Sequence, residues 1–171
     1  MKNSRQTYKV QKRLNNEEYF KRIASYNEDN KLTINTNGIH SKYFAIIEIE
    51  DIIIGIRHEI GGPYPIIKNN QSDCYIGVDK NLYFLSLNER KITSHIELDS
   101  PFIDLYFFPE DNLSLIIIEE AGVSKFDFRG NKEWFCGTDL VTSYQVANNT
   151  IIITQPDTAD ITISLSTGKP V

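Results

Sequence analysis

The chain has 171 residues, a formal net charge of −5, 40% hydrophobic and 24% charged residues, which fits one globular domain that buries a core unaided. Its longest apolar runs, such as Leu115–Ile118 and Ile52–Ile54, fall far short of the roughly 20 residues of a membrane span. The start lacks the basic region, apolar stretch and cleavage site of a secretory signal, so a cytoplasmic, membrane-free protein is expected.

The charge is unevenly placed. Residues 1–22 hold seven Lys and Arg against Glu17 and Glu18, a net +5, so residues 23–171 carry −10. A body this acidic repels nucleic acid and attracts basic partners, with a field that speeds their association at low salt.

In chain order, the first residues are polar and basic and read as a mobile arm. Asn15 is placed to cap a helix, with Glu18 in capping-box position and Tyr19, Phe20, Ile23 and Ala24 as an apolar stripe. Asn27–Asn30 ends it. Residues 1–31 thus form a basic arm and short helix, and 32–171 a repetitive β domain.

From Leu32 the texture changes to short β-branched and aromatic runs separated by Asn, Asp, Gly and Pro, the pattern of consecutive strands. It predicts strands over Leu32–Thr36, Tyr43–Ile49, Ile52–Arg57, Tyr64–Ile67, Cys74–Val78, Leu82–Leu87, Ile92–Leu98 and Ile103–Phe108. Further strands are predicted over Leu113–Glu119, Val123–Phe128, Glu133–Cys136, Val141–Val146, Thr150–Thr154 and Asp160–Leu165. Cys74 and Cys136 then fall inside strands and read as reduced, core-packed thiols.

Self-similarity is the most informative signal. Tyr75–Leu87 aligns without a gap, at a shift of 41, onto Ile116–Phe128, and Ile151–Leu165 is a third copy with a longer turn. Each copy is a strand, a polar turn and a strand, followed by a tight turn ending at Lys91, Lys132 or Lys169. These residues resemble the blades of a β-propeller of the quinoprotein-like or WD-like kind, in which such hairpins recur about every 40 residues. The resemblance implies an all-β, mostly antiparallel fold with one short N-terminal helix, built of blade-like hairpins as a partial β-propeller. A β-sandwich or meander is the alternative. An array this short leaves open edges that the helix, the arm or a partner must cover.

Chemistry is sparse. His40, His58 and His95 show no metal-ligand spacing with Cys, Asp or Glu, Gly61-Gly62-Pro63 is a turn signal and not a phosphate loop, and neither Cys has a neighbour that would depress its pKa. Trp134, on a strand after a turn, reads as core. No enzyme and no cofactor are expected.

The hairpin turns carry Asp79 in the first copy, Glu119 and Glu120 in the second and Asp157 in the third. Equivalent turns of stacked repeats share a face, so these four are the candidate partner-binding residues, with Glu48, Glu50 and Asp51 extending the patch if the earlier hairpin joins the array. In its Ile-, Asn- and Lys-rich texture the chain resembles the immunity proteins of contact-dependent and other polymorphic bacterial toxin systems. That resemblance implies a cognate toxin domain as partner, a nuclease whose cleft the protein occludes. An adaptor that captures a peptide strand at an open edge is the alternative.

Overall fold

The computed structural model describes residues 8–36, 41–60, 66–70, 73–108, 114–127 and 129–171. Among the described residues, fifteen strands and one α-helix follow one another: β1 (Tyr8–Leu14), α1 (Asn16–Ala24), β2 (Lys31–Asn35), β3 (Tyr43–Ile49), β4 (Ile52–His58), β5 (Ile66–Asn70), β6 (Asp73–Val78), β7 (Asn81–Ser86) and β8 (Lys91–Glu97). They continue with β9 (Phe102–Phe107), β10 (Leu115–Glu119), β11 (Gly122–Phe126), β12 (Lys132–Gly137), β13 (Ser143–Ala147), β14 (Thr150–Thr154) and β15 (Ile161–Ser164). A 3-10 turn, Glu28–Asn30, sits between α1 and β2.

The strands form four small sheets, ordered β1-β3-β4-β2, β5-β6-β7-β8, β12-β11-β10-β9 and β13-β14-β15. The last three follow chain order, as blade-like meanders do, and the hairpins β6–β7, β10–β11 and β14–β15 are the repeated segments. The third and fourth sheets are antiparallel throughout. The first sheet differs: β1 and β3 are antiparallel, β3 and β4 antiparallel, and β2 runs parallel to β4. The fold is therefore all-β with one short helix.

The chain divides into two compact units, Met1–Asp79 with Tyr83–His95, and Lys80–Leu82 with Ile96–Val171. In the first unit, Ala45, Ile47 and Ile49 of β3 and Ile52, Ile54 and Ile56 of β4 pack with Cys74, Ile76 and Val78 of β6 and Leu85. The period-2 alternation of a strand sends alternate residues to opposite faces, so Ile46 and Ile53 point the other way, where Tyr19 and Ile23 of α1 cover them. Burying each such side chain stabilises the fold by about 1.5–3 kcal/mol. Gly55 allows the helix this close: a Cβ there would lie 2.6 Å from the Tyr19 hydroxyl and 2.7 Å from Ile23 Cδ1.

In the second unit, Ile116 and Ile118 of β10 and Val123 of β11 pack with Ile151 and Ile153 of β14 and Ile163 of β15, and Trp134 and Cys136 border that core. Gly168, at φ +68°, lies flat on the Trp134 indole, where a Cβ would stand 2.5 Å from the ring. Lys125, a strongly buried cation, is held by Glu133 at 3.0 Å and lies 4.2 Å from the centre of the Phe108 ring.

The helix matches its sequence signal. Asn15 Oδ1 accepts the Glu18 N–H at 2.9 Å and Glu18 Oε2 accepts the Asn15 N–H at 3.2 Å, a complete capping box. Only Tyr19 and Ile23 of its stripe are buried; Phe20 is half exposed. The arm reading is corrected for residues 8–14: they form β1, in register with β3 from Tyr8↔Ile49 to Gln11↔Ile46. Residues 61–65, with the start of the strand predicted at Tyr64, and Phe128 and His40 lie outside the described residues.

Candidate functional site

Two of the four carboxylates singled out by the repeats are turned into the fold. Asp79 is the first residue of the β6–β7 turn, at φ 52°, where Asp tolerates the left-handed conformation better than most side chains. Its carboxylate accepts the N–H of Glu59 at 3.1 Å and of Ile60 at 3.0 Å, and the Thr36 hydroxyl, with His58 Nδ1 3.5 Å away. Burial by itself would raise its pKa, but the hydrogen bonds from His58, Thr36, Glu59 and Ile60 outweigh it and leave the group below the ordinary carboxylate range.

Glu119, at the end of β10, is fully buried and accepts the Ser100 N–H at 2.9 Å and the Ser124 hydroxyl. Ser100 Oγ in turn accepts the Ala121 N–H at 2.9 Å. In both cases a turn carboxylate satisfies backbone donors of a nearby connecting segment, which would otherwise be buried at a cost of about 1–3 kcal/mol each. Asp79 and Glu119 are thus fastened within the fold, not presented to a partner. Of the further candidates, Asp51 pairs with Arg90, and Glu48 accepts the Tyr26 hydroxyl at 2.9 Å.

Glu120 and Asp157 are exposed, and hydrogen bonds of the segment between β12 and β13 bring their turns to one end of the second unit. The Val141 N–H donates to Glu120 O at 2.8 Å, the Thr138 N–H to Ala121 O at 3.0 Å and the Thr142 N–H to Thr154 O at 3.0 Å. One segment, 138–142, is therefore stitched to the β10–β11 turn on one side and to the start of the β14–β15 turn on the other. It carries two further residues of this end, Asp139, exposed, and Leu140, 47% exposed. Asp160, at the far end of the β14–β15 turn, is exposed as well. Among the described residues no side chain pairs with the carboxylates of Glu120, Asp139, Asp157 or Asp160. This end of the unit thus carries four exposed carboxylates and a half-exposed leucine on segments that are hydrogen-bonded to one another, and protein interfaces likewise combine apolar anchors with a polar rim.

Sequence reasoning missed Asp139 and Leu140 because they sit in a connecting segment outside the repeat. The signal was an apolar residue beside an acid in a stretch with no strand alternation to bury it.

Other reactive groups are held in check. The Cys74 thiol is buried and its pKa pushed up to about 12, and burial raises that of Cys136, so neither is a ready thiolate. Among the described residues no group of three His, Cys, Asp or Glu is placed to hold a metal ion, and no helix is long and apolar enough to cross a membrane.

No family model and no curated protein matches the chain. Among solved structures it is similar in fold to Kuenenia stuttgartiensis hydrazine synthase, with a TM-score of 0.52 and 14% identity over 63% of this chain and 34% of that one. A chain described as KlHsv2 with loop 6CD replaced by a Gly-Ser linker aligns at a TM-score of 0.47 and 14% identity, over 76% of this chain and 44% of that one. The chain thus spans about a third of the hydrazine synthase chain it matches.

Proposed function

We propose that this is a non-catalytic binding protein that presents the acidic end of its second unit to a basic protein, as an immunity protein would to the nucleic-acid-binding cleft of a nuclease toxin. The observation that carries the reading is the set of four exposed carboxylates, without a side-chain partner among the described residues, on the same end of the unit as half-exposed Leu140. In this reading Leu140 seats in an apolar depression of the partner, and Glu120, Asp139, Asp157 and Asp160 meet its Lys and Arg. Rim charges of this kind act chiefly on the association rate and on the exclusion of wrong partners. The body charge of −10 over residues 23–171 supplies the longer-range attraction.

The test is co-expression with the product of the adjacent gene. Survival of cells that the neighbour alone kills, together with a co-purifying complex that loosens as salt rises, supports the reading. A harmless neighbour that forms no complex removes the toxin assignment.

A further inference from the structure

We propose that the free edge of β1 is a second docking site, for an extended segment of a partner protein whose residues alternate between acidic and apolar. This inference stands apart from the acidic end and involves only the first unit.

Strand β1 lies at the margin of its sheet, and among the described residues only β3 pairs with its backbone. A margin of unpaired N–H and C=O groups is a template for one more strand. The two faces of that margin differ in chemistry. Tyr8 and Val10 stand opposite Ile49 and Ile47, on the side of the main apolar cluster, and Val10 packs against that cluster while Tyr8 stays 50% exposed. Lys9 stands opposite Glu48, next in β3 to Phe44 and Ile46 of the face that α1 covers.

On that helix side there is a groove of about 380 Å³ lined by Leu14, Glu18, Lys21, Arg22 and Ser25. Arg22 is partly engaged, 3.7 Å from Glu48. Lys9 and Lys21 are exposed and have no ion-pair or hydrogen-bond partner among the described residues. A strand added to β1 would send its side chains alternately to these two faces, meeting positive charge on one and Tyr8 and Val10 on the other. Opposite charges across a strand pair stabilise it and like charges destabilise it. A second copy is the wrong occupant, because pairing β1 with itself brings Lys9 against a strand that carries the same positive charge.

The experiment uses the full chain and three labelled, end-blocked peptides: alternating Glu and Val, alternating Lys and Val, and the same Glu and Val residues in two separate blocks. A short single-stranded RNA is the fourth probe. The alternating acidic peptide is expected to bind and to slow amide hydrogen exchange across residues 8–11 by about tenfold or more. Replacing both unpaired lysines, Lys9→Gln with Lys21→Gln, is expected to weaken that binding about tenfold. Both are exposed, so retention of the far-ultraviolet spectrum and melting temperature checks the fold, and Lys21→Gln alone should give a smaller loss in the same direction. Binding of the blocked-order peptide equal to that of the alternating one, binding without amide protection at 8–11, preference for RNA, or no binding overturns the proposal.

Discussion

Asp79 accepts the Ile60 N–H at 3.0 Å, so the β6–β7 turn is fastened to the segment that leaves β4, although 19 residues separate the two in sequence. Asp79→Ala strips the partner from two backbone donors and from Thr36 at once. A loss of about 2–4 kcal/mol in unfolding free energy is expected, read from urea denaturation. Asp79→Asn keeps one acceptor oxygen and should lose less.

The same carboxylate gives the fold an acid-sensitive component. Its folded pKa lies below the ordinary value, so its contribution is fully present above the unfolded pKa of about 3.9 and is lost as pH falls through the folded one. Stability measured from pH 6 down to pH 2 should drop below about pH 4 more steeply in the parent than in Asp79→Asn. An identical acid slope in both would remove Asp79 as its source.

Charge reversal at the acidic end should separate binding from folding. Glu120→Lys with Asp157→Lys alters exposed side chains that have no hydrogen-bond or ion-pair partner among the described residues, so stability is expected to change by less than about 0.5 kcal/mol. Association with a basic partner should slow about tenfold or more, with a flatter salt dependence, measured by stopped flow.

Gly55→Val tests the seat of the helix. Its new side chain would collide with the Tyr19 hydroxyl and Ile23 Cδ1, and overpacking of this kind costs about 1–3 kcal/mol. Exchange of the α1 amides should quicken before that of β10 and β11, which belong to the other unit.

Gly168→Ala should destabilise the second unit by about 1–3 kcal/mol, because φ +68° is strained for any L side chain and the Cβ would stand 2.5 Å from the Trp134 ring. Trp134 fluorescence reports whether the turn lifts from the indole.

Much of this architecture is legible in the sequence because it is locally encoded. The runs at Tyr43–Ile49 and Thr150–Thr154 coincide with β3 and β14, since turn residues bound them closely on both sides. The capping box at Asn15 and Glu18 is a three-residue signal that needs nothing distant. Strand β1 was hidden for the opposite reason. Four of its seven residues are polar, and its pairing partner β3 begins at Tyr43. The fate of the carboxylates was equally out of reach. An Asp at a turn looks the same whether it faces solvent or a backbone N–H, and Asp79 meets Thr36 across 43 residues of chain. The repeat did place Glu120 and Asp157 at equivalent turns, but the segment that gathers them, 138–142, has no counterpart in the repeat pattern.

The order β1-β3-β4-β2 imposes a sequence of events on assembly. Both outer strands of the first sheet precede its central hairpin in the chain, so neither β1 nor β2 has an edge to pair with until residues 43–58 have formed theirs. Helix α1, nine residues long, is too short to hold itself together in water and waits for Gly55, Ile46 and Ile53 in the same way. The N-terminal third of the first unit is therefore expected to close late, over a preformed hairpin. Slowing that hairpin, for instance by a proline in β4, should delay every element before it while β10–β11 forms at its own pace.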